Sequence, residues 1–133
     1  VKPPQGPPDK TLPTPDPAQV QLIRSYGPGN FLIGERRWQV PVLVLPTFTV
    51  EWRVARAEEL SLDNLTALGQ APVPTELLVV GCGPRPIFLP PSLRASLKAA
   101  GLALEAVDTG SACRIYNVLL AEGRRVAAAL VPL

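Results

Sequence analysis

Two short runs, Leu77–Leu78–Val79–Val80 and Val126–Ala127–Ala128–Ala129–Leu130–Val131, hold no polar residue that could face water. A strand apolar on both faces must be covered on both, as inside a parallel sheet with helices above and below it. Between the two runs lies a third strand-like segment, Leu102–Ala103–Leu104–Glu105–Ala106–Val107. Two helical patterns separate these three segments. Pro90–Pro91–Ser92 opens the first, with Leu93, Leu97 and Ala100 on one face, Arg94 and Lys98 on another, and Gly101 at the exit. Asp108–Thr109–Gly110–Ser111 opens the second, which runs to about Glu122 and stops at Gly123, with Ile115, Val118, Leu119 and Leu120 toward the interior. Right-handed crossovers in a strand–helix–strand–helix–strand unit make the three strands parallel and give them helical cover.

The preceding half reads differently. Val20, Leu22 and Arg24 alternate with polar neighbours, Gly27–Pro28–Gly29–Asn30 supplies a turn, and Phe31–Leu32–Ile33 follows. A second tight turn at Gly34–Glu35 leads into Arg36–Arg37–Trp38–Gln39–Val40, which completes an antiparallel meander. Pro41 and Pro46 bracket Val42–Leu43–Val44–Leu45 and confine it to a short or edge strand. Phe48 through Trp52 is a further extended piece. Residues 58–68 have helical character, with Leu62, Leu65 and Leu68 three residues apart, Ser61 and Asp63 near the start and Gly69 at the exit. The expected fold is α/β, three layers around a mixed, partly parallel central sheet with an N-terminal antiparallel meander. The meander is expected to add strands at one edge of that sheet.

Residues 1–18 contain seven prolines and, apart from them, only Val1, Leu12 and Ala18 as apolar residues. So little apolar surface does not offset the entropy of ordering, so a disordered proline-rich leader is expected ahead of a single domain over residues 19–133. Pro4–Gln5–Gly6–Pro7 has the PxxP form, which proline-rich tails also match by chance.

Composition excludes several chemistries. The chain has no histidine, hence no Ser–His–Asp triad, no Cys–His pair and no His-ligated zinc. Its two cysteines, Cys82 and Cys113, are too few for a four-cysteine metal site, and both sit in interior elements, where reduced thiols are expected. A net charge of +2, with basic residues scattered apart from the pairs Arg36–Arg37 and Arg124–Arg125, points to no nucleic-acid partner. No apolar run approaches the roughly 20 residues that span a bilayer, and the N-terminus lacks a signal-peptide pattern.

Ligands of parallel sheets lodge outside the carboxyl ends of the strands. Two loops leave such ends here, Gly81–Cys82–Gly83–Pro84–Arg85 and Asp108–Thr109–Gly110–Ser111–Ala112–Cys113–Arg114, and parallel strands put both on one rim. Gly81–Cys82–Gly83 begins like a dinucleotide fingerprint, but Pro86 takes the third glycine position; the competing reading is a turn in which glycine relieves a close backbone approach. Cys113, near a helix start and beside Arg114, is either a nucleophile of lowered pKa or a small buried thiol. Asp108 is a helix cap, a ligand contact, or both. Arg114 either pairs with Asp108 or Glu122 or meets an anion or a partner protein.

Several linked segments share a further property. Val79–Val80–Gly81–Cys82–Gly83, Phe88–Leu89–Pro90, Val107–Asp108–Thr109, Ala112 through Leu119, and Glu122–Gly123–Arg124–Arg125 through Leu130 stand in an order and spacing that resembles one small family. It contains the mitochondrial respiratory complex I assembly factor 3 and many bacterial proteins of undetermined function. With Gly34 and Trp52 as further landmarks, the resemblance covers about residues 20–132. The family pattern has Thr where this chain has Cys82 and Ile115, and Met where it has Val107, so a family-wide mechanism does not rest on Cys82. Asp108, Thr109, Cys113, Arg114, Tyr116 and Asn117 match. The resemblance implies a three-layer α/β fold, no established reaction, no cofactor, and action by protein contact, which in the mitochondrial relatives accompanies assembly of the complex I peripheral arm.

The leader is free of Arg, unlike a mitochondrial presequence, so a bacterial cytoplasmic relative is expected. Its expected role is that of a non-catalytic interaction protein with a partner in a membrane-associated respiratory complex, without membrane insertion of its own. The alternative is a small-molecule or anion-binding domain, or a histidine-free enzyme, on the rim of residues 81–85 and 108–114. Gly81, Cys82, Gly83, Arg85, Asp108, Thr109, Ser111, Cys113, Arg114, Tyr116 and Asn117 are the candidate contacts in either case. Oligomeric state is open.

Overall fold

The computed structural model describes residues 20–133; the leader expected over residues 1–18 lies outside them. Strands β1 (Ile23–Gly27), β2 (Asn30–Ile33) and β3 (Arg36–Trp38) form an antiparallel three-stranded sheet. The β1–β2 turn is Pro28–Gly29, where proline presets the first central position and Gly29 takes a φ of 73° that side chains disfavour. Strands β4 (Val42–Val44), β5 (Thr49–Glu51), β6 (Leu77–Gly81), β7 (Ala103–Val107) and β8 (Val126–Leu130) form a second sheet in the order β5-β4-β8-β6-β7. β6 is parallel to both β7 and β8, whereas β4 is antiparallel to β5 and β8. Helices α1 (Pro91–Ala99) and α2 (Thr109–Ala121) make the two crossovers.

The five-stranded sheet is the middle of three layers. On one face Val42, Val44, Val79, Val126, Ala128 and Leu130 meet Ala112, Cys113 and Tyr116 of α2 and Ile23, Phe31 and Ile33 of the meander. On the other face Leu43, Leu45, Leu78, Val80, Ala127 and Ala129 meet Trp52, Ala57, Leu60 and Leu65, then Leu97 and Leu102 around α1. The uninterrupted apolar runs thus become β8, the central strand, and β6 beside it. The fold is the mixed three-layer α/β arrangement expected.

Three local expectations change and one is narrowed. The meander does not extend the central sheet; the β4–β5 hairpin does, while the meander forms a sheet of its own stacked beside α2. β4 is short but not an edge, because Pro41 and Pro46 fall outside its three-residue ladder and leave every amide within it able to pair. Residues 58–68 form no α-helix. They make three 3₁₀ turns, Ala57–Glu59, Leu62–Asn64 and Thr66–Gln70. A strict three-residue leucine spacing fits the three-residue turn of a 3₁₀ helix, whereas an α-helix also needs apolar partners four residues on. Val118 is 56% exposed: at about 100° per residue it stands roughly opposite Tyr116, and the buried stripe of α2 is Ala112, Cys113 and Tyr116. Ala100, just beyond α1, is likewise exposed.

Candidate functional site

The loops after β6 and β7 leave the same end of the sheet and are bonded to each other. The Cys82 amide donates to the Val107 carbonyl (2.8 Å), and the Thr109 amide donates to the Gly83 carbonyl (2.9 Å). Thr109, fully buried, completes a bracket: its Oγ1 accepts from the Gly83 amide at 2.8 Å and donates to the Val131 carbonyl at 2.7 Å. Three chain segments are thereby held together at the tops of β6, β7 and β8. Gly81 is required for that approach, since a Cβ there would lie 2.9 Å from Leu130 Cδ2 and 3.0 Å from the Thr109 Cα. Gly81 is therefore a packing residue, whereas Gly83 serves the turn through a φ of 102°. With the amides of Cys82 and Gly83 occupied internally, and no helix starting before Pro91, this turn offers a pyrophosphate none of the free donors that a dinucleotide loop presents.

Asp108 caps α2. One carboxylate oxygen accepts from the Ser111 amide (3.0 Å) and the other from the Ser111 hydroxyl (2.7 Å), and these two bonds hold the carboxyl below the usual carboxylate range. Ser111 Oγ in turn accepts from Arg114 Nη2 at 3.2 Å, and Arg114 Nη1 donates to the Tyr26 hydroxyl at 2.7 Å. The carboxylate, hydroxyl, guanidinium and phenol form one chain from the first turn of α2 to β1. Arg114 thus takes neither of the ion pairs considered for it. Its contacts are Ser111 and a tyrosine 88 residues away in sequence.

The remaining candidates separate by burial. Cys113 lies in the core beneath α2, where loss of solvation pushes its thiol up to about 12, against a smaller opposing pull from Arg114. Cys82, half-buried on the other face of the sheet, is also raised, first by burial. Both thiols are free, and neither is activated toward nucleophilic attack. Tyr116 is fully buried, which raises its phenol pKa, and its hydroxyl has no hydrogen-bond partner among the described residues. Asn117 accepts from the Ile23 amide (3.0 Å) and donates to the Ile23 carbonyl (2.9 Å), so its side chain caps β1 as another strand would. Thr109, Cys113, Tyr116 and Asn117 are therefore out of reach of an external ligand or occupied within the fold. Arg85, Asp108, Ser111 and Arg114 remain at the surface of the rim.

Sequence reasoning passed over two residues here. Tyr26 closes the polar chain by lying against Gly110, where a Cβ would come within 2.9 Å of its hydroxyl; nothing local in either segment signals that contact. Phe88 is 81% exposed in the loop that carries Arg85. Its signal was present, an aromatic set between Pro84, Pro86, Pro90 and Pro91 outside any periodic pattern. A depression of about 380 Å³ lies elsewhere, lined by Leu62, Leu65, Leu68, Pro72 and Leu102 among others, at the end where β6 and β7 begin.

Residues 23–131 match the family described as "Protein of unknown function (DUF498/DUF598)". The NADH dehydrogenase [ubiquinone] 1 alpha subcomplex assembly factor 3 of Xenopus tropicalis is 32% identical over 117 residues, 88% of this chain and 64% of that protein. The chain thus spans less than two thirds of the assembly factor's length. An uncharacterised protein of Rhodobacter capsulatus is 38% identical over 111 residues, 84% of either chain. Among solved structures, a Bordetella parapertussis protein superposes with a TM-score of 0.77 at 35% identity, covering 86% of this chain and 97% of that one.

Proposed function

The chain belongs to the DUF498/DUF598 family, and from that premise we propose that it is a non-catalytic interaction protein that helps assemble an NADH dehydrogenase-type respiratory complex, working from the cytoplasm of a bacterium. The names of its assembly-factor relatives motivate the partner. Among the described residues no helix is long and apolar enough to cross a membrane, so contact would be made from outside the bilayer.

The single observation that carries the reading is Phe88. A large apolar side chain with 81% of its surface exposed is held in the loop after β6, which Pro84, Pro86 and Pro90 stiffen and which also exposes Arg85. Interface hot spots are rich in aromatic and arginine anchors, and an anchor already fixed in position loses little entropy on docking. The rim's most reactive groups are buried or bonded within the fold, which gives no support to an anion site or a reaction there.

The test places a photo-crosslinking amino acid at Phe88 in cells of a bacterium that makes this protein. The expected product is a covalent adduct with a subunit of the NADH dehydrogenase, and deletion of the gene should lower NADH oxidation by isolated membranes. Phe88→Ala should fail to restore that activity while remaining folded. Unchanged NADH oxidation in the deletion strain, or crosslinks to unrelated proteins alone, would overturn the proposal.

A further inference from the structure

Each of the two sheets has two outer edges, and the chain treats the four unequally. The β1 edge is closed by Asn117, whose amide pairs with both backbone groups of Ile23. The β3 edge is three residues long and carries Arg36 and Arg37. The β5 edge is also three residues long, and Gln21 reaches it through Thr49 Oγ1 at 2.7 Å. Covering groups, charge and shortness are the usual protections of a sheet edge.

β7 is the exception. It is five residues long, and Glu105 is its one charged residue. The Ala103 amide donates to the Glu76 carbonyl and the Val107 carbonyl accepts from Cys82, so residues 103, 105 and 107 direct their amide groups at β6. Alternation then turns the backbone groups of Leu104 and Ala106 away from the sheet. Of these four groups, the Leu104 carbonyl holds one bond, from Arg94 Nη1 at 3.1 Å. Leu104 and Ala106 side chains lean on the α1-side core, while Ala103 and Glu105 are exposed on the opposite face of the strand.

We infer that the outer edge of β7 receives an extended strand of a partner protein, with a lysine or arginine of that strand facing Glu105. Backbone bonds to Leu104 and Ala106 would add a sixth strand to the central sheet, the mode of recognition that an unpaired edge permits. Charge selects the occupant. Glu105 makes no ion pair among the described residues, so it is free to meet a cation. A second copy pairing antiparallel about Glu105 would set two carboxylates directly opposite, which disfavours it. This surface is separate from Phe88 and does not depend on the role assigned to that residue.

The probe is a short capped peptide of alternating valine and lysine, with a valine and glutamate counterpart, and the readout is amide exchange resolved by residue. In the full chain the Leu104 and Ala106 amides should exchange quickly, and the lysine peptide should slow both at least tenfold while the glutamate peptide does not. Ala106→Pro removes an outward donor that the β6 ladder does not use, and should abolish the protection. Glu105→Lys should reverse the peptide preference without touching the backbone, which keeps the test valid if the proline variant fails to fold. Phe88→Ala should change nothing. Protection by both peptides alike, no protection at millimolar peptide, or protection that grows with protein concentration in the absence of peptide would each overturn the inference, the last in favour of a second copy.

Discussion

The two faces of the central sheet are covered by different means. On the α2 face the outer layer is fastened by polar bonds between residues far apart in sequence: Asn117 to Ile23, 94 positions away, Arg114 to Tyr26, 88 away, and Thr109 to Gly83 and Val131, 26 and 22 away. On the α1 face the polar bonds are local. Asn64 Oδ1 accepts from Trp52 Nε1 (3.0 Å) and from the Ser61 amide (3.2 Å), its Nδ2 donates to the Glu59 carbonyl (2.9 Å), and Arg94 reaches Leu104 only ten residues on. Long-range bonds exist only once the whole fold has formed, whereas local turns order a short segment at small entropic cost. The consequence is a sealed face and an open one. The apolar depression beside Leu62 and the half-buried Leu104 and Ala106 of β7 belong to the α1 side.

The largest expected effect breaks the open face at its centre. Trp52 is fully buried and anchors the 3₁₀ turns through Asn64, so Trp52→Ala should cost about 3–5 kcal/mol in chemical denaturation, a large part of a typical domain's stability. Amides of residues 57–70 should lose protection first, while those of α2 follow global unfolding. Equal loss on both faces would mean that the turns are not an independently ordered layer. On the sealed face, Thr109→Val keeps the shape and strands the Gly83 amide and the Val131 carbonyl, at about 1–3 kcal/mol for each buried group left unpaired. Thr109→Ser should restore most of the loss, because the bracket needs the hydroxyl and not the methyl. A smaller, kinetic contrast comes from the cysteines. In the native protein near pH 8, a thiol reagent should modify half-buried Cys82 slowly and Cys113, pushed up to about 12 beneath α2, more slowly still. Faster reaction at Cys113 would show that the α2 face opens more readily than its polar bonds suggest.

What could be read from the chain follows the same division between local and distant. β6, β8 and the two crossover helices were legible because continuous apolar runs and paired start and stop signals are local properties, and right-handed connection then ordered the strands. The same parallel order puts Thr109 and Asp108 at the end of the sheet where the two loops meet, and capping is one of the alternatives that the position of Asp108 before a helix offers. The partition of the N-terminal half was not legible: whether the meander or the β4–β5 hairpin joins the central sheet depends on pairings such as Val42 with Leu130, which no window of sequence contains. The three-residue spacing at Leu62, Leu65 and Leu68 matches the period of 3₁₀ turns and not that of the α-helix its apolar residues suggest. Burial of Tyr116 and occupation of Asn117 were hidden because both depend on where β1 lies. Their match to a family pattern therefore reflects places in the fold rather than in a binding surface.

The smallest effect tests a place where charge, not burial, helps secure the sealed face. The Ser111 hydroxyl and amide hold the Asp108 carboxyl below its unfolded value of about 3.9. The folded state therefore prefers the ionised carboxylate. Its contribution is complete above the unfolded pKa and disappears as pH falls through the lower, folded value. Asp108→Asn keeps a side-chain oxygen for the Ser111 amide but removes the titrating charge. The wild-type protein should then exceed the variant in denaturation midpoint near pH 6, and the gap should narrow steadily toward about pH 3, with the variant's own midpoint the flatter of the two. A gap that stays constant with pH would show that the chain through Ser111 and Arg114 to Tyr26 is held by geometry alone, and the contrast between a charged cap on the α2 face and a neutral asparagine hub on the α1 face would lose its meaning.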